Sequence, residues 1–220
     1  IDQGTGASDN EFSSYGERHW TKSRFYAKCD LIAKSIFWIG DRYGRLPDVI
    51  GLAEIENRGV LTRLLNYTLL RKYDYSIVHK ESGDRRGIDV ALLYRKSSLK
   101  LVSECFHTPY LDGERLLTRD ILHAEMQLSD QRNIHFIVNH HPSKYGGESQ
   151  SEGRRKAALS TLKNVCDSIG GKGIVAMGDF NDTPISYTHR IMAKGMKDAF
   201  VESGNGLGIS YNKHRMFFRI

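Results

Sequence analysis

The chain has 220 residues, of which 40% are apolar and 26% are charged, proportions that are ordinary for one domain with a sizeable core. It contains no apolar run near the roughly 20 residues that a helix needs to cross a bilayer. Its three scattered cysteines show neither a metal-binding spacing nor a disulfide framework. The polar start shows no signal peptide, so we expect a soluble protein, either cytoplasmic or exported after removal of a leader.

The formal net charge of +6 and the pI near 9.2 favour an anionic partner. Basic residues are clustered at Arg85-Arg86, at Arg154 to Lys156 and at Lys213 to Arg215. Such clusters could attract phosphate groups, although a solvated surface explains any one of them equally well.

Helical and extended patterns follow one another with no linker, repeat or low-complexity tract between them. Apolar residues recur at steps of three and four from Phe25 to Ile39, before Gly40, and again over residues 60–69 and 158–169, which predicts three amphipathic helices. Strands are predicted at residues 75–79, 88–94, 99–106, 120–128, 134–139 and 173–177. Because several strands follow each other directly, the pattern favours antiparallel hairpins over a strict strand and helix alternation.

Two apolar segments each end in polar side chains. Residues 47–57, PDVIGLAEIEN, end in acid, and Glu54 lies at the strand's exit, where a buried carboxylate would need a cation to offset its desolvation. Residues 134–144, IHFIVNHHPSK, run into an Asn-His pair. A histidine at that position can accept or donate a proton near neutral pH.

A third segment, residues 173–184 with the sequence GIVAMGDFNDTP, breaks at Gly178 and carries an acid and an amide. Asp179 and Asn181 point to the same side, because residues i and i+2 do so on an extended chain. Read alone, this motif could equally be a turn. Three strands that each deliver catalytic types of side chain at one end are hard to explain as core packing, so together they indicate an active site.

Five short motifs, taken together, resemble the endonuclease/exonuclease/phosphatase superfamily, which includes pancreatic-type DNases, apurinic endonucleases, inositol polyphosphate 5-phosphatases and bacterial sphingomyelinases. They are LAEIEN around Glu54, RRGIDVALLYR from Arg85 to Arg95, LTRDILHAEM around Arg119, VNHHPSK around His140 and GDFNDTP around Asp179. The resemblance implies an α+β fold, a four-layer αββα sandwich of two mainly antiparallel sheets flanked by helices. We expect one such domain over residues 1–220.

The resemblance also implies roles for these residues. Glu54 is expected to bind Mg²⁺ or Mn²⁺, and hard oxygen ligands suit either ion. Asp179 would activate or orient the attacking water, and Asn181 would contact the phosphate. His140 matches the histidine that contacts the phosphate or assists proton transfer. His141 is its rival, and only one of two consecutive strand residues can point into the site.

Three further residues join the candidate site. Asp89 is similar to the acid that orients a catalytic histidine in DNase-like members, or else it is an edge-strand acid facing water. Arg119 resembles an arginine that reaches the substrate phosphate, for which a forked guanidinium is suited. Arg86 could bind substrate in the same way, although Arg85 is equally placed.

The resemblance is incomplete at both ends. Family members usually begin with a strand carrying a metal-binding Asn and end with an Asp and a Ser-Asp-His motif. We therefore expect Ile1 to follow the first of these strands and Ile220 to precede the last, so that the segment is clipped at both ends. The predicted function is a metal-dependent phosphoesterase acting on nucleic acid or on a phosphorylated small molecule or lipid head group. The alternative is a non-catalytic nucleic-acid-binding domain.

Overall fold

A computed structural model describes residues 14–17, 19–144, 148–170, 173–182 and 186–199. In these parts of the chain, the helices α1 to α4 span Lys22–Tyr43, Arg58–Tyr67, Glu148–Ile169 and Tyr187–Met192, with a short 3₁₀ helix at Leu69–Lys72. The strands β1 to β9 span Val49–Ile55, Tyr75–His79, Asp89–Arg95, Leu99–His107, Tyr110–Leu111, Glu114–Arg115, Ile121–Leu128, Asn133–His140 and Ile174–Asp179. The expected chain-end features and the cluster Lys213 to Arg215 lie outside the described residues.

The strands form two main sheets and one small hairpin. The first sheet has the antiparallel order β1-β3-β2, and the second has the order β4-β7-β8-β9. Within the second sheet, β8 and β9 are parallel while the other pairs are antiparallel. A parallel pair needs a long crossover connection, which α3 supplies between β8 and β9. Strands β5 and β6 pair with each other.

Three apolar clusters show how the layers stack. On β3, Ala91 and Leu93 pack with α1 and α2, whereas Val90 and Leu92 pack with residues of the second sheet. The opposite face of the second sheet carries Ile137 into a cluster with α3. Alternating strand residues thus serve different cores. The order of layers is α1 and α2, first sheet, second sheet, α3, which confirms the predicted αββα sandwich.

Helix α1 continues past the glycine at which the sequence predicted its end. Thr21 caps the start by accepting a hydrogen bond from the backbone N–H of Arg24 at 3.3 Å, and Gly44 ends the helix with φ 73°. Gly40 lies inside the helix, where an added Cβ would lie 2.5 Å from Leu46 Cδ2. The glycine therefore allows close packing rather than stopping the helix. No described helix is long and apolar enough to span a membrane.

The predicted strands are confirmed to within a residue or two at their ends, and the β5–β6 hairpin was missed. Each of its strands has two residues, joined across Asp112 and Gly113, whose φ angles are 53° and 83°. Two-residue strands are too short to show an alternating pattern. The Asp-Gly pair at the turn was therefore the one sequence signal for this hairpin.

Candidate active site

Glu54 lies in a bulge at the end of β1. The β1–β3 register pairs Ala53 with Val90 and Ile55 with Asp89, so Glu54 has no residue opposite it. Its φ of 59° is in the left-handed region, which non-glycine residues seldom adopt. A bulge of this kind turns a side chain away from the pleat, and Glu54 is exposed rather than buried as the sequence suggested.

His140 and Asp179 lie directly opposite each other at the ends of the parallel strands β8 and β9. The Nε2 atom of His140 is 3.9 Å from Oδ2 of Asp179. The histidine side chain is 3% exposed and the aspartate side chain is 54% exposed. The pair therefore consists of a buried imidazole and a carboxylate that solvent or a substrate can reach.

Asn181 follows Asp179 in a tight turn. Its backbone N–H donates to Oδ1 of Asp179 at 2.8 Å, and its Nδ2 donates to the carbonyl oxygen of His141 at 2.8 Å. Asp179 and Asn181 therefore do form the turn that the motif allowed as its alternative reading. The same bonds hold the Asp179 carboxylate next to His140, so the turn and the candidate site are compatible.

Gly178 allows the two strand ends to approach each other. Its φ is 128°, and an added Cβ would lie 1.9 Å from the carbonyl oxygen of Asn139. Both the backbone angle and the contact exclude a side chain here. The sequence analysis placed a strand break at this glycine, but β9 continues through Gly178, which pairs with Asn139, and ends at Asp179.

Arg119 is buried. It binds the backbone at the end of β8 and Asp84 in the loop between β2 and β3. Its Nε donates to the carbonyl oxygen of His140 at 3.1 Å, and one terminal nitrogen donates to that of His141 at 2.7 Å. The other terminal nitrogen donates to Oδ2 of Asp84 at 3.0 Å. A buried guanidinium needs such acceptors to offset its lost hydration. Contact with the phosphate stays a prediction, and the structure shows Arg119 bracing the backbone around His140.

Asp84 was missed in the sequence analysis. Besides Arg119, it accepts a hydrogen bond from the backbone N–H of Arg86 at 2.9 Å, and the Nε of Arg86 is 3.7 Å from Oδ1. The side chain of Arg86 is still 51% exposed. No spacing rule connects Asp84 with Arg119, which is 35 residues away. The guanidinium of Arg86 thus lies beside Asp84 and is open to solvent, and its contact with a substrate stays a prediction.

Asp89 pairs with His79, a histidine that the sequence analysis did not single out. Its Oδ2 is 3.2 Å from Nε2 of His79, and its Oδ1 accepts hydrogen bonds from the backbone N–H and the hydroxyl of Ser82 at 2.8 and 2.7 Å. Asp89 lies on the helix-facing side of β3, with Ala91, whereas His140 lies on the inter-sheet side of β8, with Val138. The water-facing alternative is wrong, because Asp89 is buried on the central strand of its sheet.

Burial controls the protonation of the two adjacent histidines. Burial, followed by the positive charge of Arg119, lowers the pKa of His140 to about 4, and Asp179 opposes this only in part. Burial and the same arginine lower the pKa of His141 to about 4. Both rings are therefore neutral at pH 7. His141 packs edge-on against Phe180, with 5.3 Å between ring centroids, so it belongs to the packing around the site.

The exposed carboxylate of Glu54 is the oxygen donor expected to hold a divalent cation. Its chemistry fits Mg²⁺ or Mn²⁺, since Mg²⁺ is usually held by one or two carboxylates and keeps several waters. Among the described residues, no group of three or more His, Cys, Asp or Glu side chains is arranged to hold a metal. Glu54 is thus the residue expected to hold the ion, with water completing its shell.

Two sheets packed between helices, with His140 and Asp179 paired at adjacent strand ends, have the architecture of the DNase-like class of fold. A family model described as the endonuclease/exonuclease/phosphatase family matches residues 1–209. The chain therefore belongs to this family, as the five sequence motifs indicated. A search of curated proteins gave no significant match.

Several solved structures have the same fold. The catalytic domain of human nocturnin, with bound sulfate, is 17% identical with a TM-score of 0.61, over 84% of this chain and 66% of that one. Two proteins from Bacteroides thetaiotaomicron are also similar. A mannosyl-6-phosphatase is 14% identical with a TM-score of 0.56, covering 77% and 62% of the two chains. An endonuclease/exonuclease/phosphatase family protein is 17% identical with a TM-score of 0.59, covering 77% and 60%.

The present chain thus spans between 60% and 66% of the length of these three structures. Their low identity shows the shared fold and leaves the substrate open.

Proposed function

We propose that this domain supplies the active site of a divalent-metal-dependent hydrolase of phosphate esters, most simply a phosphodiesterase or nuclease. The observation that carries the proposal is the His140–Asp179 pair, which lies at one rim with an exposed carboxylate and a buried neutral imidazole 3.9 Å apart. Bound Mg²⁺ or Mn²⁺ would neutralise phosphate charge and polarise the ester.

The chain's own residues would divide the remaining work. Asp179 is exposed enough to orient a water and accept its proton. His140 is neutral at pH 7, so its Nε2 can donate a hydrogen bond to a phosphate oxygen or exchange a proton with the reacting groups. Arg86 would add positive charge beside the substrate, while Asn181 and Arg119 keep the ends of β8 and β9 in place.

Two other functions are alternatives to that of a nuclease. A phosphatase or phospholipase-type enzyme would use the same site on a phosphorylated head group, and a non-catalytic domain would bind nucleic acid without hydrolysis. The exposed Arg86 suits any of these anions. The basic cluster at Arg154 to Lys156 is weaker support for long nucleic acid than its sequence suggested, because Arg155 is buried and donates to the Ser151 hydroxyl.

The test uses the complete protein with Mg²⁺ or Mn²⁺ and a generic nitrophenyl phosphodiester or monoester. We expect hydrolysis that EDTA abolishes, and Glu54→Gln should require a higher Mg²⁺ concentration while the fold stays intact. Full activity in EDTA would exclude the metal mechanism. No turnover of duplex DNA, single-stranded RNA, sphingomyelin or inositol phosphates would favour the binding domain.

Salt separates the substrate classes in the same assay. Each phosphate neutralised by the protein should lower the affinity for nucleic acid by roughly 0.7 to 0.9 log units per log unit of salt. A small head group would show a shallow dependence, because it releases few counterions.

A further inference from the structure

A second exposed arginine lies against the loop that carries Arg86. An ideal Cβ placed on Gly83 would lie 3.0 Å from a terminal nitrogen of Arg115, so the guanidinium of Arg115 rests on the backbone of Gly83. The chain turns directly after Gly83, where the backbone N–H of Gly87 donates to the carbonyl oxygen of Asp84 at 3.1 Å. Arg86 lies in this turn. Both arginines therefore belong to the surface around one short loop.

Each of the two arginines is paired with a buried carboxylate. The Nε of Arg86 is 3.7 Å from Oδ1 of Asp84. A terminal nitrogen of Arg115 is 4.0 Å from Oδ1 of Asp120, which also accepts a hydrogen bond from the Thr108 hydroxyl at 2.8 Å. Both acid side chains are at most 5% exposed, whereas each arginine side chain is 51% exposed. A guanidinium held on one side by an acid keeps other N–H donors in solvent, where they can bind an anion.

The β5–β6 hairpin places an exposed ring beside Arg115. Tyr110 on β5 lies directly opposite Arg115 on β6, and it is 59% exposed. Side chains paired in this way have Cβ atoms about 4.5–5.5 Å apart. The backbone N–H of Leu116 donates to the carbonyl oxygen of Pro109 at 2.9 Å, which closes the hairpin at its base. A cation for the backbone and a ring for a base are the two elements that bind single-stranded nucleic acid.

The loop beneath Arg115 is joined to the candidate active site. Asp84 accepts a hydrogen bond from Arg119 at 3.0 Å, and Arg119 donates to the carbonyl oxygen of His140 at 3.1 Å. Arg115 contacts this loop from the hairpin and lies outside the contacts described for the His140–Asp179 pair. Its position suits a phosphate that neighbours the reacting one.

We propose that Arg115 and Tyr110 form a subsite for the nucleotide next to the scissile ester, with a phosphate bound by the guanidinium and the base stacked on the ring. The substrate is then a single strand of nucleic acid, and this inference rests on the function proposed above. A head group with one phosphate would leave the subsite empty.

The test is the binding of a short fluorescein-labelled oligothymidylate to the full chain, measured by anisotropy at several salt concentrations in EDTA, which prevents hydrolysis. We expect Arg115→Ala to weaken binding and to reduce the slope of log affinity against log salt by about 0.7, the value for one phosphate contact on a single strand. Arg115→Lys should keep the slope, because it keeps the charge. Tyr110→Ala should weaken binding by at least about fivefold with the slope unchanged, because a stacking ring carries no charge.

Arg132→Ala is the matched control. Arg132 is also exposed and paired with an acid, Asp130, but it lies just before β8, at the end of the strand far from His140. This variant should bind as the unchanged protein does, and circular dichroism verifies the folding of all variants.

The subsite is overturned if the unchanged protein does not bind the oligothymidylate, or if Arg115→Ala keeps the slope of the unchanged protein. Unchanged affinity in Tyr110→Ala overturns a nucleic acid strand as the ligand, and this variant decides alone if Arg115→Ala does not fold. Hydrolysis of the nitrophenyl ester by the unchanged protein tests the proposed function separately, so failure of the subsite and failure of the activity are told apart.

Discussion

His140 and His141 are adjacent in the chain, but the structure gives them different surroundings. His140 lies 3.9 Å from Asp179, whereas His141 is enclosed beside Phe180. The expected roles in the sequence analysis rested on the same distinction, because consecutive strand residues face opposite ways.

We therefore expect His140→Ala to lower kcat/KM by about 10²-fold or more, as loss of a proton-transfer or charge-stabilising group does. His141→Ala should act mainly on stability, because it removes a buried ring. Steady-state kinetics on the folded fraction, with urea unfolding of both variants, separates the two effects. A larger loss of turnover in His141→Ala would show that the site uses the other histidine.

Two strand irregularities shape the site at the level of elements. The bulge at Glu54 exposes a carboxylate at the end of β1, and Gly178 lets β9 approach β8 at Asp179. Bulges and glycines at strand ends are common beside active sites, since they aim side chains that a regular strand would not.

Gly178→Ala should destabilise the protein strongly, on the order of several kcal/mol, because the new Cβ would overlap the Asn139 carbonyl in a backbone conformation that L residues avoid. Gly195→Ala is the matched control, since a Cβ there meets nothing within 4 Å and its φ is not positive. Urea unfolding of both variants measures the difference. Equal stability of the two would contradict the close approach of β8 and β9.

The whole molecule should lose stability as the pH falls from about 6.5 to about 4. In the unfolded chain His140 and His141 bind protons near pH 6.5, whereas the folded state lowers the pKa of each to about 4. Below pH 6.5 the unfolded state therefore binds more protons, and the free energy of unfolding falls by an amount on the order of a few kcal/mol. The lowered pKa values of His107 and His123 act in the same direction.

Urea unfolding at pH 7 and pH 5 measures this loss. His141→Gln should reduce the dependence on pH, since it removes one of the buried titrating groups, while His19→Gln should leave it as it is. A free energy of unfolding that is the same at both pH values would contradict the burial of neutral histidines.

Much of the fold and part of the site could be predicted because they depend on local patterns. The three- and four-residue repeats predicted the helices, the apolar runs predicted the strands, and the resemblance to the family implied the four layers. The strand ends at Glu54, His140 and Asp179 indicated one polar rim. Gly40 was misread as a helix stop, since its packing against Leu46 depends on the chain's return after the helix.

The apolar strands and the types of polar group that follow them could be read from the chain, because side-chain periodicity is a property of neighbouring residues. Which of those polar groups meet depends on the packing of the layers. The packing pairs Asp89 with His79, 10 residues away in the chain. It also brings Asp84 within hydrogen-bonding distance of Arg119, 35 residues away. A buried charge needs a partner, and that partner is the one that packing brings close to it. The partner therefore cannot be predicted from spacing in the sequence.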